Sequence, residues 1–424
     1  MLSVRSARTF FFISLAFLGL LGVFAAGLVS GHYETWPYPQ IKAMKIQLEN
    51  IIATDGRLGP DGLYVRAPSD ASMERLVLHD SGRMMPGYRA IMGWDEGSGR
   101  YNVWLLDEEG REVHVWPIEL SRSSVARTFI YPHGMQILRD GTILVNFDQG
   151  NDVLVRLDSC GHAIWSREGI YHHSIELAED GTFWTWLAEE DINSQHQKLV
   201  NLDVETGETR KTIDLTGDLI EAPGTGAALL GRPLDFESRA PEGELARNRD
   251  DMFHPNDVEP LSSALSPLFP EFDTGDLLIS LRNMDLVAVL DPVGLRFKWW
   301  SHGPWRAQHD PDFGSDGRIY VYNNNPGRGR SDVISIDPVT RDVERYFAEG
   351  EPRYYSSGQG KLTLIPNGTV QILVPMEGRV LESSWTGRLL FEFNNVLTEE
   401  FNSHVINAVW LPDDYFQTTP TCRQ

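Results

Sequence analysis

HGMQILRDGTILVNFDQGNDVLVRLDSCGHAIWS, residues 133–166, is the stretch from which the rest of the chain can be read. Two apolar runs, MQIL and TILVNF, flank an Asp-Gly pair, and two further runs, DVLVRL and HAIWS, follow. Asp-Gly between such runs is a two-residue hairpin turn, because its central positions need positive φ. The stretch is therefore two hairpins, four short strands in all. The first hairpin recurs as HHSIELAEDGTFWTW from His172, QHDPDFGSDGRIYVYNN from Gln308 and SGQGKLTLIPNGTVQILV from Ser357. A further copy, HPNDVEPL from His254, reaches its partner DLLISLRN through a longer loop. The second hairpin recurs as KLVNLDVETGETRKTI, LVAVLDPVGLRFKWW, DVISIDPVTRDVERYF and RVLESSWTGRLLFEF.

Four-stranded units repeated every ~40–50 residues form a ring of blades, because no single blade can bury both of its faces. YNVWLLDEEGREVHVWPI (101–118) supplies only the later strands of a unit, and NSHVINAVWLP (402–412) supplies only a first one. Together they complete a blade made from both chain ends. The expected fold is thus all-β, a six-bladed β-propeller over 61–415. The long interval between His173 and His254 is assigned to an acidic, Gly- and Pro-containing insertion loop at 216–250, a candidate lid. The competing account is a seventh blade hidden there. The Asn-Gly-Thr at Asn367 reads as a hairpin turn in preference to a glycosylation acceptor.

The chain has 424 residues, 41% of them hydrophobic and 10% aromatic, enough for a large core and too apolar for disorder. Its net charge of −23 would repel a phosphate backbone, so nucleic acid is not an expected partner. Any anionic substrate must meet a local positive cluster working against that field. The two cysteines, Cys160 and Cys422, are too few for a disulfide scaffold; they are either one bridge or two free thiols.

Arg5 and Arg8 precede an uncharged run from Thr9 to Gly31, and no Lys or Arg follows until Lys42. That length suits a transmembrane helix, and the charge asymmetry leaves residues 1–8 in the cytoplasm and everything downstream outside. The expectation is an uncleaved signal anchor at 9–31, with a cleaved signal peptide as the rival. Residues 32–60 then form a stalk with a short amphipathic helix, and the propeller is extracytoplasmic, periplasmic in a Gram-negative cell.

In a propeller the innermost strand of each blade starts beside the central channel, so side chains at that point converge on one funnel. The repeat places His133, His172 or His173, His254, His309 and His404 there; only the copy from Ser357 lacks a histidine. A lone histidine is usually a hydrogen-bonded turn residue, but an aligned set points to chemistry. His32, His79, His114, His162, His196 and His302 fall outside the pattern and carry no such reading.

HHSIELAEDG, HPNDVEPL followed by GDLLISLRNMDLVAVLD, WW, and QHDPDFGSDGRIYVYNNN together resemble the propeller of the bacterial arylsulfotransferase family, over roughly residues 85–412. The resemblance implies sulfuryl transfer from an aryl sulfate to a phenol, independent of a nucleotide sulfate donor, through a sulfurylated histidine. It implies His309 as nucleophile, with His254, Arg282 and His173 around the sulfuryl group and no cofactor or metal. His172, His133, Asn256 and Arg306 are the further substrate-binding candidates, with Asn323 beside them. The chain departs from the family in the strand SLRN and in the short segment before the first blade, so its oligomeric state is not legible.

The residue chemistry agrees with this reading. A neutral imidazole nitrogen can attack sulfur and form a covalent intermediate, and a guanidinium fork matches paired oxyanion oxygens. A protonated His254 or His173 could donate to those oxygens or to the departing phenolate. Asp310 or Asp312 could orient His309, although turn capping suits both. Trp184, Trp186 and Trp305 are candidates to stack on an aryl group, whereas Trp165, Trp299 and Trp300 read as blade packing. Two other classes compete: a metal-dependent propeller hydrolase or lactonase using His133, His254, Asn256, Asp257, Asp310 and Glu176, and a non-catalytic binding platform.

Overall fold

The computed structural model describes residues 63–118, 131–147, 152–192, 194–222, 225–230 and 251–422, with part of 12–30. The chain divides into two units, Met1–Gly56 and Arg57–Gln424. In the first, 17–24 are helical, with Phe17, Leu18, Leu20, Leu21, Val23 and Phe24 exposed. Among the described residues no helix is long and apolar enough to cross a membrane. The expected span at 9–31 is therefore not supported as a continuous element, and 1–8 and the stalk at 32–60 lie outside the described residues.

The second unit is a six-bladed β-propeller. Blade 1 runs from the channel outward as Val405–Leu411, Tyr88–Asp95, Arg100–Leu106 and Glu112–Ile118, so the last strand of the chain closes the first blade as expected. Blade 2 is Pro132–Ile137, Ile143–Phe147, Val153–Leu157 and Ala163–Glu168, and blade 3 is Ile170–Leu177, Thr182–Ala188, Gln197–Asp203 and Thr209–Asp214. Blade 4 is Pro255–Pro260, Leu277–Leu281, Leu286–Asp291 and Arg296–His302. Blade 5 is His309–Phe313, Ile319–Asn323, Asp332–Ile336 and Val343–Tyr346. Blade 6 is Lys361–Ile365, Thr369–Val374, Arg379–Ser384 and Leu389–Asn394, and it gains a fifth, outer strand, Leu76–Leu78. Tyr64–Arg66 pairs with Phe401–Ser403. These two N-terminal strands carry no turn signal and were not legible in the repeat.

Alternation along each strand explains the ring. In Leu277–Leu281 the side chains of Leu277, Ile279 and Leu281 enter the core shared with blade 3, while Leu278 enters the core shared with blade 5. Both faces are buried, which is why the middle strands read as unbroken apolar runs such as ILVNF and VLVRL. Each pair of neighbouring blades encloses such a core. Trp184, Trp186 and Trp305 belong to them: the indole N–H of Trp186 donates to Asp257 O (3.1 Å) and that of Trp305 to Asp285 O (2.8 Å). They are blade packing and not aryl platforms.

The described part of the insertion is a π-turn at Leu215–Leu219 and a short helix at Gly226–Leu230. Leu219 and Leu229 join the core between blades 3 and 4. His302 Nε2 meets Ala228 O at 3.0 Å, and Phe297 N–H donates to Thr225 Oγ1 at 3.2 Å. This part covers the outer strand of blade 4 and protects a sheet edge; residues 231–250, where a lid was expected, lie outside the described residues. Cys160 and Cys422 form a disulfide that ties the outer turn of blade 2 to the tail beyond the closing strand. Asn367 sits in a hairpin turn, accepting from Thr369 N–H at 3.1 Å.

Candidate active site

Five of the six innermost strands slip register at the same depth. The slips fall at His172/Ile175, Pro255/Asp257, His309/Pro311, Pro132/Met135 and Val405/Asn407. The sixth, Lys361–Ile365, pairs without a slip, and it is the one whose sequence lacks a histidine at the entry. A bulge re-aims the side chain beside it. His173, His254 and Asp310 accordingly take positive φ, 58°, 44° and 45°, unusual for residues with a Cβ. At the equivalent place in blade 2, Gly134 leaves room for blade 3: a Cβ there would lie 1.9 Å from His173 O. Gly134 N–H donates to Asn146 Oδ1 (2.6 Å), and Asn146 Nδ2 donates to His173 O (3.1 Å).

His133, His173 and His309 line one open space together with Asn256, Gln359 and Lys361. The His133 and His173 ring centroids are 4.1 Å apart, and those of His173 and His254 are 5.2 Å apart. The choice left open between neighbouring histidines is decided here: His173 faces the funnel and His172 stands behind it. His172 Nε2 meets Gln197 Oε1 at 2.9 Å, and Gln197 Nε2 donates to Ile192 O and Ser194 O. The amide orientation is therefore fixed, so His172 donates from Nε2 and, when neutral, accepts at Nδ1. The His173 Nδ1–H then donates to it across 2.6 Å, leaving His173 Nε2 with the lone pair. Burial, followed by the neighbouring His133, His172 and His254, holds the His173 pKa well below its usual value. His173 is therefore neutral near pH 7 and is not the protonated donor expected from its type.

His254 is held by Asp251, which accepts from the His254 main-chain N–H (2.7 Å) and meets its Nδ1 at 2.5 Å. The next strand returns Arg282 beside it, with Arg282 N–H donating to His254 O (3.0 Å). A Cβ at Gly358 would lie 3.9 Å from Arg282 Nη2, so the guanidinium ends against the loop that precedes blade 6. From that loop the Gln359 N–H reaches His309 Nε2 at 3.2 Å. His309 Nδ1 meets Asn324 Oδ1 at 2.7 Å. Burial first, and then the charge of Arg282, hold the His309 pKa well below its usual value. Asn256 donates to Gln308 O (2.7 Å). Asn323 accepts from Arg306 N–H (2.8 Å) and donates to Asp332. Arg306, His254 and Arg282 do not line the open space itself, but His254 packs on His173 and the charge of Arg282 acts on His309.

Asp310 and Asp312 do not orient His309. Asp310 accepts from Lys361 Nζ (2.8 Å) and from Leu362 N–H (2.5 Å). Lys361 also bonds Glu176 (3.1 Å), and Asp257, Asp312 and Glu259 surround this pair electrostatically. Burial opposes the ammonium, but the carboxylates around it keep its pKa well above the usual value. Burial, with mutual repulsion, pushes Asp257 and Asp312 well up and Glu259 to about 8. Two donors of the metal-hydrolase reading, Asp310 and Glu176, are thus already engaged by an ammonium, and that donor set does not fit a bound cation. Lys361, Asn324, Gln359 and Gln197 had no distinguishing sequence signal, because each acts through a partner supplied by another strand or loop; Asp251 lies three residues before His254 and falls outside the repeat.

His404 stacks on Tyr131 (5.9 Å) and is buried, its pKa pushed down to about 4 by that burial. His114 meets Ser159 O, His79 meets Glu392 and His162 meets Asp158, all outside the funnel.

Residues 134–396 match the family model described as arylsulfotransferase (ASST). A protein of unknown function from Bacteroides caccae superposes with a TM-score of 0.50 at 11% identity, covering 77% of this chain and 99% of that one. TolB from Acinetobacter baumannii gives 0.45 at 12% identity, covering 77% and 67%. At these identities the first likeness is one of fold alone and the second carries no argument. No curated protein matches the chain.

Proposed function

From the premise that this chain belongs to the arylsulfotransferase family, we propose that it moves a sulfuryl group from an aryl sulfate to a phenol through a sulfurylated His309. The observation that carries this reading is the state of His309: buried, depressed in pKa, and beside Arg282. A neutral ring at neutral pH keeps its nucleophilic lone pair, and the adjacent guanidinium offsets the charge of the incoming sulfate.

In the first half-reaction the Nε2 lone pair forms the N–S bond while the ester S–O bond breaks, its electron pair leaving on the donor phenolate. Arg282 holds the sulfuryl oxygens as charge spreads over them. His254, fixed through Nδ1 by Asp251, presents Nε2 to the same oxygens or to the departing phenolate. In the second half-reaction the acceptor oxygen forms its bond to sulfur as the N–S pair returns to His309. His173, neutral with the lone pair on Nε2, is suited to take the proton that the acceptor hydroxyl gives up as its oxygen bonds sulfur. His133 and Asn256 complete the wall on which the substrate rests.

The apolar segment 9–31, with arginines before it and none just after, supports an N-terminal membrane anchor and an extracytoplasmic propeller. The disulfide suits the oxidising compartment this requires. Fractionation tests the anchor: the full chain pellets with membranes and resists carbonate, whereas recovery in the soluble fraction overturns it.

The activity is tested by transfer from 4-nitrophenyl sulfate to phenol by the full chain in detergent with chelator. Chelator-resistant formation of phenyl sulfate, abolished in His309→Ala, is expected. A folded wild type that transfers nothing from several aryl sulfates would reassign the funnel to binding without catalysis.

A further inference from the structure

His309 is locked at both ring nitrogens by groups that can each play only one role. Nδ1 faces Asn324 Oδ1 at 2.7 Å, and Nε2 faces the Gln359 main-chain N–H at 3.2 Å. An amide side chain could flip, but this one is held: Asn324 Nδ2 donates to Ser356 O (2.9 Å) and Gln359 O (2.5 Å), two carbonyls that can only accept. Ser331 secures the same loop, accepting from Ser356 N–H (3.0 Å) and donating to Asn324 O (3.0 Å). Asn324 is fully buried, one residue beyond Ile319–Asn323, the strand that pairs with His309. The closed circuit His309, Asn324, Gln359 and back to His309 leaves one tautomer, with the proton on Nδ1 and the lone pair on Nε2.

We propose that Asn324 is the positioning residue for His309, and that its being an amide and not a carboxylate keeps the sulfurylated histidine a reactive donor. This rests on the reading of His309 as nucleophile. When Nε2 bonds sulfur it gives up the long Gln359 N–H hydrogen bond, Nδ1 keeps its proton on Asn324, and the ring becomes an N-sulfoimidazolium. In the second half-reaction the acceptor oxygen takes the sulfur and the ring leaves as neutral imidazole, which needs no further proton. A carboxylate at position 324 would stabilise the cationic ring, favouring its formation and opposing its loss. The neutral carbonyl oxygen of Asn324 orients the ring with far less bias between the two steps. His254, by contrast, has a carboxylate, Asp251, on its Nδ1. In this site the histidine that must let its group go is paired with an amide, and the one that stays unmodified is paired with an acid.

The test compares Asn324→Asp and Asn324→Ala with the wild-type full chain, reading 4-nitrophenolate release before and after phenol is added. The Asp variant is expected to form sulfohistidine at least as fast as wild type at neutral pH. Its acid limb moves to higher pH, and its phenol-dependent turnover falls 10-fold or more, so the intermediate accumulates. The Ala variant is expected to lose 10-fold or more in the first step. Nitrogen-15 NMR of labelled histidine, with the His309 signals identified by their loss in His309→Gln, should show Nδ1–H in wild type and a tautomer mixture in Asn324→Ala. Folded variants with unchanged tautomer, or an Asp variant slowed equally in both steps, overturn the proposal. An inactive wild type that still shows the Nδ1–H tautomer sinks the nucleophile reading while leaving the positioning by Asn324 in place.

Discussion

The Nδ1 atoms of His172 and His173 lie 2.6 Å apart, although consecutive strand residues normally point to opposite faces. The bulge between His172 and Ile175 and the φ of 58° at His173 turn both rings into one relay. Gln197 orients the first ring, and the first ring orients the second. The funnel is thus built on backbone irregularities repeated around the propeller, each delivering a side chain that regular pleating would send into the blade cores.

The rate of His309 sulfurylation should stay nearly flat as the pH falls past the range in which an ordinary imidazole takes up its proton. The sign follows from the depressed pKa: the neutral, nucleophilic ring persists until the pH falls through that lowered value. The phenolate burst from 4-nitrophenyl sulfate, followed across pH 5–8, checks this. An acid limb at the ordinary histidine value contradicts the burial argument.

Lys361→Met should destabilise the propeller by about 3–5 kcal/mol at pH 8, because it strips the counter-charge from Asp310 and Glu176 in a buried setting. The loss should shrink at pH 5, where neighbouring carboxylates take up protons and relieve the repulsion. Urea unfolding at the two pH values measures both effects. Equal losses at both would mean that the lysine contributes packing and not charge.

Glu259 carries a pKa raised to about 8, chiefly by burial. Its folded-state value lies above the unfolded one, so its contribution is fully present below about 4.5 and is lost as the pH rises through about 8. Glu259→Gln should remove that dependence while keeping an acceptor for Phe313 N–H. Wild type is therefore expected to weaken relative to the variant between pH 5 and 8, as read from melting temperatures. Parallel profiles would assign the proton uptake to Asp257 or Asp312.

Cys422→Ser should lower stability by about 2–4 kcal/mol, and reduction of wild type should reproduce that loss. The bridge joins the tail after the closing strand to blade 2 across 262 residues of chain, so it restricts a large loop in the unfolded state. Thermal melts with and without reductant compare the two. A wild type indifferent to reductant shows that the closing strand needs no covalent help.

The fold was legible because hairpin chemistry is local. Asp140-Gly141, Asp180-Gly181, Asp316-Gly317 and Asn367-Gly368 each announce their own turn, and the split between 101–118 and 402–412 announces the closed ring. The strands Tyr64–Arg66 and Leu76–Leu78 escaped because edge additions have no turn partner in the repeat. Toward the funnel, His133, His254, His309 and one of the pair His172 and His173 were legible because the repeat aligns them, whereas Arg282 was legible only through the family resemblance. Asn324, Gln197, Asp251 and Lys361 were not. Asn324 follows a strand end like any other, and its meaning depends on Ser356 and Gln359 arriving from the loop before the next blade.

The sequence by itself thus determined the number of blades, the closure from both ends and which residue types converge on the channel, since these follow from local periodicity and its repetition. Only the tertiary structure decided which nitrogen of each histidine carries its proton, which of His172 and His173 faces the funnel, and that a lysine occupies the acidic channel. Those outcomes depend on burial and on hydrogen-bond partners that only folding brings together, Gln197 onto His172 within blade 3, Asn324 onto His309 at blade 5 and Lys361 of blade 6 onto Asp310, and no local pattern in the chain encodes such a pairing.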